Sequence, residues 1–302
     1  MDQVTTELLT EIAADISSVA DDVTLTDPQQ FNQRANALDF LDFHIIDRLN
    51  SLPSTQELNH LKQQAEELKN ALEAIDTRLF EQLREGIRSG EYRGKAFLDM
   101  IHQYNGFSAN DDSPTKPGYD NLDNFINGLL NTQTLPEARQ TREAEMVFYQ
   151  QTPARVIFEL AAKAKLQAND VFMDIGSGLG HVPILINLIS GTSTQGIEFE
   201  PAYCGYAQNC ASQLNLTQIE FIQTDARKAD YTRANVFFMY TPFKGALLQD
   251  VLNLLQATAQ QRTIRIFTYG PCSAAVALQN WLVCLDGVVD DEYRLYEFKI
   301  VF

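Results

Sequence analysis

Positive charge is scarce in this sequence. The 302 residues include 23 Lys and Arg against 40 Asp and Glu, which gives a formal net charge of −17 at pH 7. Like charges repel, so this excess of negative charge excludes nonspecific binding to nucleic acid or to an anionic membrane surface. We therefore expect no strong nucleic-acid binding and no membrane partner.

Long apolar runs and paired cysteines are also missing. No apolar stretch reaches about 18 residues, near the minimum for a membrane span, and no charged-then-apolar leader follows Met1. The spacings of the cysteines match no CxxC pattern, so neither a metal site nor a redox pair is predicted; they are Cys204, Cys210, Cys272 and Cys284. Reduced, structural cysteines are typical of a cytoplasmic protein, which is the location we expect.

The acidic residues are concentrated in the first half of the chain. Residues 1–150 hold 26 acidic and 12 basic side chains, whereas residues 151–302 hold 14 and 11. The second half is also richer in Val, Ile, Phe and Tyr. This asymmetry predicts two differently built domains.

Apolar side chains recur at helical spacing in the first half. The pattern predicts helices over residues 5–20, 28–50, 54–83 and 96–104. Asp27 is expected to cap the second helix, and Ser54 with Glu57 forms a capping box for the third. Gly, Pro and Asp then predict a loop linker at about 105–143, so we expect an all-α domain over 1–140. Its charged face indicates either a solvated surface or a site that recruits a partner protein.

From residue 154 onward, helix-like and strand-like segments alternate. The predicted strands are 171–175, 194–198, 218–223, 235–240, 263–268 and a final pair near 286–302; the predicted helices are 154–166, 179–190, 202–214, 244–258 and 273–284. Alternation of this kind predicts an α/β domain over 141–302, with a doubly wound, mainly parallel sheet covered by helices on both faces. Ligands bind such sheets beyond the carboxyl ends of their strands.

A glycine turn follows the first predicted strand in the segment Asp174-Ile175-Gly176-Ser177-Gly178-Leu179-Gly180. Glycines let the backbone turn sharply and approach a ligand closely, since a side chain at Gly176 or Gly178 would occupy volume that the ligand needs. The carboxylate of Asp174 repels phosphate, which disfavours a dinucleotide and favours a ligand that carries an amine.

This segment resembles the first motif of the Rossmann-like, class I S-adenosylmethionine methyltransferases. The resemblance implies a seven-stranded sheet and S-adenosylmethionine as cofactor, with the methionine end held by the glycine turn: Asp174, Gly176, Ser177, Gly178 and Gly180. Glu198 ends the next strand about 20 residues later, where an acid accepts the ribose hydroxyls. Asp225 follows the third strand and is implied to bind the adenine amino group.

The fourth strand leads into Tyr240, Thr241, Pro242 and Phe243, which occupy the family's fourth motif beside the transferred methyl group. We take these four as the catalytic candidates, acting by alignment of the reacting groups and by excluding water. Neither a general base nor a metal ion is predicted.

A second resemblance covers roughly residues 146–245. Tyr149-x-x-Thr152, the glycine turn, Gly-Ile-Glu and a fourth motif ending in Phe243 are similar to the disruptor-of-telomeric-silencing family, the lysine methyltransferases without a SET domain. Tyr149 and Thr152 offer hydroxyls to the methionine carboxylate. Thr152 alternatively caps a helix with Pro153 in its first turn.

The chain departs from that second family in two ways. Tyr240-Thr241 replaces its paired asparagines, and its basic nucleosome-binding segment has no counterpart in this acidic sequence. We therefore expect methyl transfer to an amine, with a protein lysine favoured by the resemblance. The alternatives are a small-molecule methyltransferase and a non-catalytic, cofactor-binding scaffold that acts through the acidic helical domain.

Overall fold

The computed structural model describes residues 3–108, 118–131 and 135–301. Parts of the predicted linker, 109–117 and 132–134, lie outside the described residues. The chain separates into two compact units: Met1–Arg84, Met100–Phe107 and Asp120–Leu129 form the first, and Glu85–Asp99, Ser108–Tyr119 and Leu130–Phe302 form the second. Because the units interleave along the chain, the boundary near residue 140 stays a prediction.

The first half of the chain is helical, as predicted. Its helices are α1 Gln3–Asp21, α2 Phe31–Asp39, α3 Asp47–Asn50, α4 Gln56–Ser89, α5 Lys95–Asn105 and α6 Asn121–Leu130. A wider π-helical segment, Phe40–Ile46, joins α2 to α3. Of the helices that the structure describes, none is long and apolar enough to cross a membrane.

Two predicted helix starts are corrected. Asp27 does not cap α2; it lies in the preceding turn, where its Oδ1 accepts a hydrogen bond from the Gln29 N–H at 2.9 Å. The Thr55 hydroxyl, and not that of Ser54, accepts the Leu58 N–H at 3.2 Å at the start of α4. At α4 the Thr55 hydroxyl satisfies one of the first free N–H groups of the helix, whereas Gln30, at the capping position of α2, makes no side-chain cap.

Apolar side chains from α1 to α4 form the core of the first unit. Its members include Leu9, Ile12, Ile16, Leu41, Ile45, Leu58, Leu61 and Leu72. Arg34 lies fully buried beside this region. Its guanidinium donates to Asp76 Oδ1 at 2.7 Å and to the carbonyl oxygen of Leu25 at 3.1 Å, so the buried charge is compensated.

Helix α6 lies inside the segment that the sequence predicts as a linker. Its apolar side chains are buried at helical spacing, at Leu122, Phe125, Ile126 and Leu129. The Phe125 ring packs edge-on against the rings of Phe31 and Phe80, with centroids 5.0 and 5.4 Å away. Loop-forming sequences on both sides conceal this short helix from composition alone.

The second unit contains the α/β fold. Its strands are β1 Val171–Ile175, β2 Ser193–Glu198, β3 Ile219–Gln223, β4 Val236–Tyr240, β5 Arg265–Tyr269, β6 Leu282–Cys284 and β7 Tyr296–Ile300. They form one sheet in the order β3-β2-β1-β4-β5-β7-β6. Strands β1 to β5 pair in parallel and β7 pairs antiparallel with β5 and β6. The prediction of a doubly wound, mainly parallel, seven-stranded sheet is confirmed.

Helices flank this sheet at α7 Ala154–Ala164, α8 His181–Ser190, α9 Pro201–Gln213, α10 Gly245–Ala259 and α11 Cys272–Ala277. The predicted helix over 273–284 is wrong in its second half. Leu282–Cys284 is the edge strand β6, which pairs with Ile300, Lys299 and Phe298 of β7. Three residues are too few to show an alternating pattern, so the sequence concealed this strand.

The strand order shows where in the sheet a ligand-binding crevice opens. The sheet grows outward from β1 in both directions, toward β2 on one side and toward β4 on the other. At such a switch point the connections leave on opposite faces, and a crevice opens beyond the carboxyl end of β1. The glycine turn follows β1 directly and therefore lies in that crevice.

Candidate active site

A cavity of about 540 Å³ opens at the carboxyl ends of the parallel strands. This volume lies in the range of small-molecule and cofactor sites. Eight predicted site residues line it: Tyr149, Gly176, Glu198, Asp225, Tyr240, Thr241, Pro242 and Phe243. Five others lie outside the lining: Thr152, Asp174, Ser177, Gly178 and Gly180.

The glycine turn supports the walls of this cavity. Gly178 has a φ of +52°, and a Cβ there would lie 2.2 Å from a ring carbon of Tyr149. A Cβ on Gly176 would likewise lie 2.4 Å from the Cβ of Pro242. The sequence predicted that side chains at these positions would meet a ligand. In the structure they first meet two residues that stand over the turn.

Glu198 ends β2 and lies half-buried in the cavity wall. Its Oε2 accepts the Gly178 N–H at 2.8 Å, and its Oε1 accepts the Glu200 N–H at 2.7 Å. Burial raises the pKa of this carboxyl, although those N–H groups oppose the shift. A carboxylate offers about four lone-pair sites, so Glu198 can still accept two hydroxyl groups from a ligand.

Glu200 has a structural role two residues later. Its side chain caps α9 through the Ala202 N–H at 3.0 Å and also accepts the Gln140 N–H at 2.8 Å. Burial acts to raise the pKa of Glu200, but these N–H groups outweigh it and the pKa falls below its ordinary value. Glu200 is thus fixed by the cap and 5% exposed, whereas Glu198 is half-buried in the cavity wall.

Asp174 lies beneath the glycine turn, 3% exposed. Among the described residues, no hydrogen bond reaches its carboxylate, and burial together with the nearby Glu198 raises its pKa well above the ordinary value. A buried carboxylate without hydrogen bonds is costly, and a cationic partner would remove that cost. The predicted contact with the methionine amino group stays a prediction, since Asp174 does not line the cavity.

Residues 143–149, here called the strap, run beside residues 242–247 and reach the glycine turn at Tyr149. The strap ends at Tyr149, whose ring lies against Gly178 with its centroid 5.4 Å from that of Tyr203. Burial raises the pKa of the Tyr149 phenol, and the nearby Tyr119 and Glu198 add to the shift, so the phenol stays protonated. Tyr149 therefore closes one side of the cavity with an uncharged hydroxyl.

Thr152 follows the strap and is buried. The interpretation of Thr152 as a helix cap is wrong, because α7 begins at Ala154 and Pro153 holds the capping position without a side-chain bond.

Gly180 and Ser177 of the glycine turn contact neighbouring protein residues and do not line the cavity. A Cβ on Gly180 would meet Phe221, and the buried Ser177 hydroxyl packs beside Gly196 without a hydrogen-bond partner among the described residues.

Asp225 is held by an arginine. The Arg227 guanidinium donates to both of its carboxylate oxygens, with Nη2 2.6 Å from Oδ2, and this contact lowers the pKa of Asp225. Arg227 also contacts Glu143 in the strap at 2.5 Å. Asp225 is therefore ionised and fixed at the cavity surface.

The fourth-strand segment forms the opposite end of the cavity. Thr241 has a φ of +39°, and its hydroxyl donates to the Tyr269 carbonyl at 3.2 Å while accepting the Cys272 N–H at 3.1 Å. The Tyr240 ring packs edge-on against that of Tyr269, with centroids 5.0 Å apart. The unusual backbone at Thr241 is thus held in place by two hydrogen bonds.

Sequence reasoning missed several lining residues, among them Tyr269, Glu292 and Tyr293. Tyr269 ends β5, so the rule that ligands meet the carboxyl ends of strands would have found it. Glu292 and Tyr293 belong to the loop between β6 and β7. They come to the site because the Gly270 N–H donates to the Glu292 carbonyl at 3.0 Å, a pairing that no local pattern reveals.

Comparison with known proteins supports the fold of this unit. Residues 137–268 match the sequence model of the family described as Histone methylation protein DOT1, which is less than half of the chain. No curated protein matches the chain.

Solved structures of several methyltransferases are similar to part of the chain. An RNA methyltransferase from Salinibacter ruber, in complex with S-adenosylhomocysteine, is 23% identical with a TM-score of 0.39, over 50% of this chain and 92% of that one. Magnesium protoporphyrin IX methyltransferase from Synechocystis, with S-adenosylmethionine bound, is 16% identical with a TM-score of 0.37, over 48% and 76%.

The strand order, the glycine turn and the family match agree on the nature of the second unit. It is a Rossmann-like, S-adenosylmethionine-dependent methyltransferase domain with a resemblance to DOT1. The residues present fit this cofactor: Glu198 has free acceptor sites, and Asp174 is a buried carboxylate that lacks a hydrogen bond among the described residues. In the part of the chain that the structure describes, no group of three or more His, Cys, Asp or Glu is arranged to hold a metal ion.

Proposed function

We propose that the α/β unit methylates an amine of a protein. The observation that carries this proposal is the arrangement of carboxylates and tyrosines along the strand ends in one cavity. The polar end, at the ends of β2 and β3, carries the carboxylates of Glu198 and Asp225, with Tyr149 and Tyr203 beside the glycine turn. The aromatic end, at the ends of β4 and β5, carries Tyr240 and Tyr269, and the loop between β6 and β7 adds Tyr293 and Glu292. A polar end suits the sugar and base of a cofactor, and an aromatic end suits an amine-bearing side chain.

The polar end would hold the cofactor. Glu198 would accept the ribose hydroxyls, Asp225 would accept the adenine amino group, and Asp174 would compensate the cationic amino group of the methionine part. Tyr149 and Thr152 would donate to its carboxylate. When bound, S-adenosylmethionine supplies an electrophilic methyl group on a sulfonium. The leaving group is a neutral sulfide, so its departure needs little acid catalysis.

The aromatic end would prepare the acceptor. An amine attacks only in its neutral form, and a pocket of low polarity lowers the pKa of an amine. Pro242 and the buried Phe243 exclude water there, and the two hydrogen bonds of Thr241 fix the loop that aligns the acceptor. The phenols of Tyr240 and Tyr269 stay protonated, because burial raises their pKa, that of Tyr269 to about 12.

The charge of the cavity favours a cationic acceptor before it loses its proton. Arg142 is a positive residue in the lining, against the carboxylates of Glu198, Glu200 and Glu292, while the fourth lining carboxylate, Asp225, is already paired with Arg227. Electrostatic complementarity of this kind speeds association with positive partners. Together with the DOT1 match, it supports a lysine of a free basic protein, since an acidic chain repels a substrate wrapped in DNA.

Labelling with S-adenosylmethionine tests the proposal. The full chain, incubated with a cell extract and cofactor labelled in the methyl group, should place label on protein, and mass spectrometry should locate it on lysine. Glu198→Ala should bind the cofactor more weakly and transfer less label, and Val288→Ala, an exposed change outside the cavity lining, is the active control.

Two other outcomes would contradict the proposal in different ways. Label found only in small molecules would favour a small-amine acceptor. Binding of S-adenosylhomocysteine in calorimetry without transfer to any fraction would favour a cofactor-binding scaffold, for which Tyr240-Thr241 in place of the paired asparagines is the supporting observation.

A further inference from the structure

We infer that Glu145 is a positioning residue that ties the strap to the acceptor loop, so that the cofactor side and the acceptor side of the cavity close as one unit. The acceptor loop is defined here as residues 241–245. This inference rests on the proposed function, because it assigns the strap to the cofactor and the loop to the acceptor. It concerns a residue that lies outside the cavity lining.

The backbones of the two segments are joined as a short antiparallel ribbon. The Lys244 N–H donates to the Glu145 carbonyl at 2.9 Å, and the Val147 N–H donates to the Pro242 carbonyl at 3.1 Å. Met146 and Phe243 face each other as a bridge between these bonds. One segment therefore cannot move away without breaking the hydrogen bonds of the other.

The side chain of Glu145 strengthens this connection at the start of α10. Its Oε1 accepts the Ala246 N–H at 3.1 Å and its Oε2 accepts the Leu247 N–H at 2.7 Å. These bonds hold the pKa of Glu145 below its ordinary value. Lys244, at the capping position, makes no side-chain cap, so the helix receives its cap from the strap.

The glycine at position 245 makes this contact feasible. Gly245 has a φ of +61°, and a Cβ there would lie 2.1 Å from Oε1 of Glu145. Any other residue would be strained and would push the carboxylate away from the helix. The sequence of the acceptor loop is thus fitted to a carboxylate that arrives from the strap.

Each segment carries a wall of the cavity. Two residues after Val147, the strap places Tyr149 on the glycine turn, and the acceptor loop places Pro242 beside Gly176. A strap fixed by cofactor would therefore also fix the acceptor loop. The two binding events are expected to assist each other through this ribbon.

Hydrogen exchange of the full chain, read by mass spectrometry over residues 143–149 and 241–248, tests the inference. In Glu145→Ala both segments should exchange about tenfold faster, since a lost cap weakens the ribbon by an amount of that order. Glu145→Gln keeps one acceptor oxygen and should fall between the parent and Glu145→Ala. Asp250→Asn removes an exposed carboxylate from the same helix and should match the parent.

S-adenosylhomocysteine is the probe of the coupling. In the parent it should slow exchange in both segments, and in Glu145→Ala it should slow exchange in the strap alone. The inference is overturned if Glu145→Ala speeds exchange only at Ala246 and Leu247, or if the probe protects residues 241–245 equally in both proteins. Failure of the proposed cofactor site is distinguishable, because the probe would then have no effect on the parent.

Discussion

At the scale of single residues, two acids two positions apart have different roles. Glu198 is half-buried in the cavity wall, whereas Glu200 is 5% exposed and caps α9 through the Ala202 N–H. Glu198→Ala should therefore weaken binding of S-adenosylhomocysteine about tenfold to a hundredfold, for a loss of roughly 1.5–3 kcal/mol. Glu200→Ala should instead lower the stability by about 1 kcal/mol through the lost cap. Calorimetry and thermal unfolding separate the two, and parent-like affinity in Glu198→Ala would remove the ribose assignment.

Gly178 offers a second test at this scale. A methyl group in Gly178→Ala would displace the ring of Tyr149, which lies 2.2 Å from the site of that Cβ. We expect it to weaken binding of S-adenosylhomocysteine in calorimetry. Gly191→Ala is the matched control, because Gly191 has a φ of +72° with nothing within 4 Å. The Gly191→Ala protein should lose about 1 kcal/mol of stability and bind S-adenosylhomocysteine normally. Equal losses of affinity in the two variants would mean that backbone strain, and not the displaced Tyr149 ring, weakens binding.

The buried carboxyl of Asp174 predicts a pH dependence. Its pKa in the free protein lies well above the ordinary value of 3.8 because of burial. A cationic ligand binds the ionised form, so the affinity for S-adenosylhomocysteine should rise as pH increases through that raised pKa. Asp174→Asn should bind more weakly and lose this part of the pH dependence. An unchanged pH profile in Asp174→Asn would exclude contact with the amino group.

At the scale of elements, the loop between β6 and β7 distinguishes acceptor from cofactor. It brings Tyr293 to the tyrosine end of the cavity, although the side chain remains 63% exposed. Tyr293→Ala should therefore reduce transfer to the labelled protein and leave the affinity for S-adenosylhomocysteine unchanged. Val288→Ala, an exposed change in the same loop, should alter neither. A loss of cofactor affinity in Tyr293→Ala would instead assign the loop between β6 and β7 to cofactor binding.

The elements also show what the sequence can predict. The motifs at the ends of β1, β2 and β4 were found because hydrophobic runs mark parallel strands and ligands meet their carboxyl ends. Helix α6 and strand β6 were missed, since each is short and its stability comes from packing with distant segments. The cap of α10 by Glu145 joins residues about 100 positions apart in sequence, so no local pattern predicts it.

At the scale of the whole molecule, the excess of acid predicts steering of a cationic acceptor. Residues 1–150 hold 26 acidic and 12 basic side chains, and such a field attracts positive partners over a distance that salt shortens to about 8 Å at 0.15 M. Transfer to a basic protein should therefore fall as salt rises past this concentration. Removing residues 1–104 would cut into the second unit, which includes Glu85–Asp99, so charge replacement is the better test.

Three exposed acids of the first unit serve for that replacement: Asp39, Glu57 and Glu81. The triple variant with Asn or Gln at these positions should show a weaker salt dependence and a lower kcat/KM for the basic acceptor, because steering acts on the association rate. Its affinity for S-adenosylhomocysteine should equal that of the parent. Transfer that does not depend on salt, or a triple variant as efficient as the parent at low salt, would leave the helical half without a part in acceptor capture.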